Sequence, residues 1–475
     1  MRKFKRRQRH SLAFGLFLAA VVGALLLPAA LAPRANAGPT DYWDFEDPLG
    51  LRPRPAPELF SQPQGALINQ PLASNYNPTL ALNFASGAQP GAFQPLVPDA
   101  NASWIGGVSS NWSFPGNWTA GGPPGAGQIA SFDANSTGTD PPQIDFTTTV
   151  GELHMATGVH SNITLSASGA SFLTIGGVGG IGILVDNSNI FSFTISAPLV
   201  LGAAQAWTNN SSNLFTVSGG VALSGDNLTV NGTGNTLISG NIAGAGAGSI
   251  LTKDGNGTLT LTGTEAITGG ITVNGGTLLM NTVNTSNQPL TVNNAGTTLG
   301  GTGTIGGSVS VGAGANLAPG NGGNTAGTLT MQGPLTLASG SNFRVDINGT
   351  TAGTFDQVVV NTSTVTIGGS NLVVHVGTTL SLNQTFQILT VGSGSAISGT
   401  FAGIPQGGHV TADNGTVFSV SYIGGSGNDI VLTVVAAPVP EASTWMGGAL
   451  AIAGLAFTQR RRLRKLIVRR CAVGS

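Results

Sequence analysis

The sequence predicts an all-β chain wound as a parallel β-helix (β-solenoid). Three observations lead there: short apolar segments bounded by turn residues, a repeat of about 20 residues, and a scarcity of charge. Charged residues are 8% of the 475-residue chain while glycines number 73, against about 25% charged and roughly 7% glycine in ordinary globular proteins. Apolar runs long enough to approach a bilayer span occur only near the two ends. The middle is therefore a water-facing array with little capacity for charge chemistry.

Two series of anchors carry the repeat. ITVNGGTL at 271, LTVNNAGTTL at 290, VSVGAGANL at 309 and LTMQGPLTL at 329 align Val273, Val292, Val311 and Met331 at spacings of 19, 19 and 20 residues. Leu278, Leu299, Leu317 and Leu337 follow at 21, 18 and 20, and Val230 and Leu251 extend the first series upstream. Such a period, with two or three short strands per unit, fits one coil of a parallel β-helix and is too short for helix pairs or propeller blades. Gly and Asn supply the corners. Inward Val, Leu and Ile stack from coil to coil, each contributing ~1.5 to 3 kcal/mol, and outward Thr and Ser suit the sheet without charge. Asn274 and Asn293 are expected to start an amide ladder. If residues 104–436 kept the period throughout, they would make about 16 or 17 coils and a rod roughly 80 Å long.

Four segments follow in chain order: 1–37, 38–98, 99–436 and 437–475. The first joins a basic stretch, MRKFKRRQRH, to an apolar run and an A-x-A site at Ala35 and Ala37, the pattern of a secretory signal helix cut by signal peptidase before Gly38. Residues 38–98 read as a Pro-rich linker that includes the acidic, aromatic YWDFEDPLG. Ordered structure is expected to open with Trp104, Trp112, Trp118 and Phe132, which serve either as a cover for the first coil's core or as a stacking platform for sugars. After the array, Ala442 to Thr458 offers about 17 residues and roughly 25 Å of apolar membrane helix. An arginine block then sets the tail on the cytoplasmic side.

Between residues 38 and 441 there are 19 Asp or Glu against 4 Lys or Arg, which excludes a nucleic-acid partner. The single cysteine, Cys471, lies in the basic tail, so the array is held by packing without disulfides or thiolate metal sites.

Candidate sites are few. GGSGNDIVL at 424–432 fits the calcium nonapeptide, with Asp429 as ligand and Val431 as the buried residue. Calcium wants 6 to 8 oxygens, however, and one copy reads better as a turn. Gly301, Gly303 and Gly306 spell G-x-G-x-x-G ahead of a strand rather than a helix, which offers nothing to a phosphate. Glu152 with His154, and Asp346 with Asp356, are carboxylate-bearing pairs expected at the surface. His160, His375 and His409 share no metal-ligand spacing. Lys253 and Arg344, four or five coils apart, are the array's only cations. No catalytic residue, cofactor or metal is assigned, and the chain reads as a non-enzyme.

The segment KDGNGTLTLTGTEAITGGITVNGGTLLMN, with its G-x-G-T-L-T-L strand and T-V-N-G-G-T-L unit, resembles the autotransporter-associated β-strand repeat. The tail VPEASTWMGGALAIAGLAFTQRRRLRK resembles a PEP-CTERM sorting signal, with Pro440, Glu441 and Ala442 in place of Pro-Glu-Pro. These resemblances imply export, display at the cell envelope and processing at Pro440 and Glu441 by an exosortase-type membrane protease. The function they imply is structural or adhesive. The alternatives are an extracellular polysaccharide-binding protein and, behind it, a β-helix carbohydrate-active enzyme.

Overall fold

The computed structural model describes residues 41–42, 54–55, 450–462 and 101–437, the last with short gaps at 137–139, 188–190, 245, 247, 285, 362–363 and 393–395. The signal segment, most of the linker and the Pro440–Glu441 motif lie outside the described residues. The chain divides into two units, Met1–Pro95 and Leu96–Ser475. Within the first, Asp41–Tyr42 pairs antiparallel with Arg54–Pro55.

Within the second unit the array is a parallel solenoid, as the alternating pattern demands. Most coils set a short strand on each of three faces. The first face is a 13-stranded sheet running from Ala102–Ser103 to Ile397–Thr400, and the second has 11 strands from Gln143–Ile144 to Asn371–Val376. The third is split into six strands, Thr148–Val150 to Glu265–Ala266, and a seven-stranded sheet that begins at Thr304–Ile305. Among the described residues that seam is spanned by the bridges Glu265 to Asn284 and Val283 to Thr304. A typical strand holds one outward residue between two inward ones, so Leu290 and Val292 are buried while Thr291 is half-buried. That pattern is the period of two in a half-buried strand.

Register decides which anchors meet. Val273, Val292 and Val311 stack on the first face, and Leu278, Leu299 and Leu317 on the second, as the spacing predicts. The last member of each series does not follow. Met331 pairs with Ile305 and Val360 on the third face, and Leu337 pairs with Val311 and Ile367 on the first. Residues 318–327, inserted at a corner, delay the next strands by one face, so a constant period lands on the wrong side of the coil. Upstream, the partner of Val230 is Lys253 rather than Leu251. That two-residue slip keeps the same side of the strand inward.

Corner length also corrects the size of the array. Successive rungs of the first face are separated by as few as 19 residues, from Val273 to Val292, and as many as 32, from Ile367 to Gly399. The face therefore has 13 rungs, fewer than a constant period gives, and extends roughly 60 Å at ~4.8 Å per rung. The expected 80 Å was too long.

Both ends of the stack are closed. Trp104, Trp112 and Trp118 are buried against one another, with ring centroids 4.6 to 6.4 Å apart. Trp118 Nε1 donates to the Trp112 carbonyl at 2.8 Å. These rings cover the first core, and the three tryptophans themselves present almost no surface to solvent. At the other end His409–Thr411, Val417–Gly424 and Asp429–Ala436 turn antiparallel and lay Phe418 against Phe386 at 6.1 Å. Antiparallel strands end the stack because the chain doubles back instead of offering another parallel rung.

Corners impose the second constraint. Gly301 holds φ at 109°, and a Cβ there would lie 2.3 Å from the Met280 carbonyl oxygen. The G-x-G-x-x-G run is thus a close passage between coils. Side-chain amides climb the corners as anticipated: Asn293 Nδ2 donates to Asn274 Oδ1 at 2.9 Å. A second ladder links Asn371, Asn342 and Asn316, each amide donating to the previous one at 3.0 Å.

A helix covers 450–462, overlapping the expected span Ala442–Thr458 only in part. Its 13 described residues reach roughly 20 Å and run into Arg460, Arg461 and Arg462. Among the described residues no helix is long and apolar enough to cross a membrane, and residues 442–449 of the expected span lie outside the described residues.

Stacking makes a mutational forecast. Val292 is fully buried between Val273 and Val311. Val292→Asp should cost several kcal/mol in denaturant unfolding by placing a carboxylate among apolar neighbours. Thr291→Asp, on the outward side, should change stability by about 1 kcal/mol or less. Equal losses would mean that the inward register is wrong.

A candidate binding cleft on the second face

The insertion at 318–327 leaves the second-face strand Asn316–Leu317 and returns at the third-face strand Thr328–Met331. Its own bonds shape it. Gly301 and Gly320 exchange backbone hydrogen bonds at 2.6 and 2.9 Å, and the Thr325 hydroxyl donates to the Gly322 carbonyl at 2.6 Å. Asn348 Nδ2 holds the Asn324 carbonyl at 2.7 Å. The segment's exit is fixed by Asp356. One carboxylate oxygen accepts the Gly327 N–H at 2.8 Å and the other accepts the Asp346 N–H at 2.9 Å. Asp356 thereby staples the insertion to the strand Asn342–Ile347.

Between the insertion and the sheet lies a cleft of about 280 Å³, lined by Thr277, Leu279, Thr298, Pro319, Arg344 and Asp346 among others. Arg344 is exposed and Asp346 half-buried on the outward side of one strand. Neither side chain has a hydrogen-bond or ion-pair partner among the described residues. Burial raises the Asp346 carboxyl above its ordinary value, against the pull of His375 and Arg344. His375 stands beside Asp346 in the next rung and contacts Asp413. Burial would raise Asp413, but hydrogen bonds from His375 and from the Val376 N–H, the latter 3.0 Å long, hold it below its usual range.

Other sequence candidates sit elsewhere. Glu152 and His154 share a first-face strand, with His154 Nε2 3.3 Å from Asp186 Oδ1. The expected surface placement fails for Glu152 and Asp356, which are 5% and 1% exposed. Burial raises both carboxyls, Asp356 to about 7. Asp356 precedes the strand Gln357–Val360 and is closed over by the end of the 318–327 insertion, whose Gly327 N–H it accepts, a contact that alternation along a strand does not reveal. His160 and His409 are exposed and far apart in the chain. Asp429 belongs to the hairpin turn after Val417–Gly424. Its carboxylate accepts the Val391 N–H at 2.7 Å and the Ser426 N–H at 2.9 Å, so backbone donors engage both oxygens. Val431, read as the buried residue of the nonapeptide, is half-buried, while Ile430 and Leu432 point into the core. The processing residues Ala35, Ala37, Pro440 and Glu441 fall outside the described residues.

Sequence reasoning missed two buried groups. Lys253 occupies an inward position between Val230 and Val273 and is 2% exposed. Its ammonium donates to the carbonyls of Asp254, Gly255 and Gly275 at 2.6, 2.9 and 3.2 Å. Burial lowers it to about 8, against the pull of Asp254. Glu265 points inward on the third face in register with Ile242 and is raised by burial to about 8. The available signal was the position itself: Lys253 stands 20 residues before Val273.

Residues 251–280 match the passenger-associated transport repeat. This stretch contains both Lys253 and Glu265 and agrees with the autotransporter-associated resemblance of the same residues. No curated protein matches the chain.

The buried groups fix a pH dependence. Folded Glu265 keeps a proton up to about 8 that the unfolded chain releases near 4.5. Stability is therefore full below about pH 4.5 and falls as the pH rises toward 8. Asp356 adds a fall in the same direction between about 3.8 and 7. Folded Lys253 loses its proton at about 8 rather than 10.5, so stability climbs again above pH 8. Thermal unfolding across this range should show a minimum near pH 8. Glu265→Gln should raise stability there by about 2 to 4 kcal/mol while changing little at pH 4.5.

Asp356 gives a local forecast. Asp356→Ala leaves two backbone N–H groups without their acceptor and should cost about 1 to 3 kcal/mol. Hydrogen exchange at Gly327 and Asp346 should accelerate more than at Val292.

Proposed function

We propose that this chain is an exported, surface-displayed β-solenoid whose work is structural or adhesive. The observation that carries the reading is a passenger-associated transport repeat, residues 251–280, set within a parallel solenoid whose two ends are capped. Such a rod displays a long, weakly reactive, acidic surface without turnover chemistry. The basic and apolar beginning with Ala35 and Ala37 supports export through signal peptidase. Pro440 and Glu441 support sorting by an exosortase-type protease.

The end of the chain acts at a membrane boundary. Leu450, Ile452, Leu455 and Phe457 are all exposed on the 450–462 helix, beside three arginines. Exposed apolar side chains next to a cationic cluster suit an anionic lipid surface.

A second reading, extracellular polysaccharide binding, is favoured by the cleft with Arg344 and Asp346 rather than by the buried tryptophans. Nucleic acid is disfavoured by the acidic surface, which repels phosphate.

Cell fractionation with mass spectrometry of both mature termini tests the main reading. The protein should appear in the envelope or medium with Gly38 at its amino terminus. Recovery in the cytoplasm with Met1 intact would overturn it.

A further inference from the structure

Within residues 101–437 only Lys253 and Arg344 are Lys or Arg, against twelve Asp or Glu. Lys253 is spent inside the core on three carbonyls. Arg344 is thus the one Lys or Arg of this stretch that reaches solvent, and it does so at a cleft, without an ion-pair partner among the described residues, beside a carboxylate that also lacks one. Surface arginines in an acidic protein ordinarily settle on a neighbouring carboxylate. Here Arg344 and Asp346 alternate along one side of a single strand without an ion pair between them.

We infer that the cleft beneath residues 318–327 binds a saccharide carrying an isolated carboxylate, with Arg344 on that carboxylate and Asp346 on the neighbouring hydroxyls. The inference rests on the saccharide-facing reading above and names its ligand class. A guanidinium presents a planar fork of donors that matches a carboxylate. A carboxylate such as Asp346 only accepts, so its natural partners are hydroxyl donors. Thr298 Oγ1 accepts from Asn316 Nδ2 at 3.2 Å, which leaves its own proton to donate into the cleft. Leu279 and Pro319 supply apolar wall for the C–H face of a sugar ring. About 280 Å³ lies just below the usual range of ligand sites and leaves room for a single sugar unit with its neighbours in solvent.

Charge spacing narrows the class further. The acidic array repels a polymer charged at every unit, since potentials of one sign sum over the surface. A carboxylate separated by neutral sugars satisfies Arg344 without that repulsion.

Asp356 is the positioning residue. It touches no ligand but holds Gly327 and Asp346 in place.

Calorimetric titration of the full chain tests the inference. The probes are a tetrasaccharide with one glucuronate among three glucose units and the same tetrasaccharide with its carboxyl reduced to the alcohol. The acidic probe should bind at least about tenfold more tightly than the neutral one, as a charge-assisted pair requires. Arg344→Gln should erase that preference while its unfolding midpoint stays unchanged, and Asp346→Asn should weaken both probes. Equal affinity for the two probes, no binding of the acidic probe at millimolar concentration, or a preference that survives in Arg344→Gln would each overturn the inference. Equal binding of the two probes would overturn the carboxylate inference while leaving saccharide binding standing, whereas no binding of either would overturn both.

Discussion

Everything in the array depends on the parallel ladder between one coil and the next. Each rung's N–H and C=O groups are satisfied by its neighbours, so the inward side chains of successive coils meet residue on residue. Thirteen rungs on the first face hold that register. Outward positions are free to vary within the limits of a pleated surface. Inward positions must be apolar, or must find their hydrogen bonds inside, as Lys253 does with three carbonyls. The ladder also creates the need for closure, because an open end would expose both apolar core and unpaired strand edge. Three buried tryptophans meet that need at one end and an antiparallel hairpin meets it at the other.

Corners carry the freedom that the ladder withholds. A corner can lengthen without disturbing the rungs on either side, and the steps between first-face rungs vary from 19 to 32 residues for that reason. The insertion at 318–327 uses this freedom to build the cleft, and Asp356 removes the looseness that would otherwise come with it. The cleft is therefore set by two carboxylates with different tasks. Asp356 is almost fully buried and engaged by backbone donors, while Asp346 is half-buried and open to the cleft.

The matched segment 251–280 holds two ionisable side chains in the interior of the array. Lys253 and Glu265 both point inward, and burial moves each toward its neutral form. Glu265 also sits at the seam where the third face is interrupted, joined to Asn284 by a single bridge. Polar interior residues at an interruption of the sheet coincide with the place where regular pairing supplies least. The regular coils on either side provide the stability that tolerates them.

Alternating apolar and Thr or Ser residues, with Gly and Asn between, determined an all-β solenoid from sequence alone, because strand alternation and corner chemistry are local properties of the chain. The stacks Val273 to Val292 to Val311 and Leu278 to Leu299 to Leu317 were legible for the same reason, as was the Asn274 to Asn293 ladder. Tertiary structure decided where that rhythm shifts. An insertion moves Met331 and Leu337 to other faces, and nothing local distinguishes a long corner from another strand. It also decided that Trp104, Trp112 and Trp118 are interior, that Glu152 and Asp356 are buried, and that Arg344 and Asp346 share a cleft. Those facts depend on which corner folds over which rung, a relation between residues far apart in the chain that no single stretch of sequence contains.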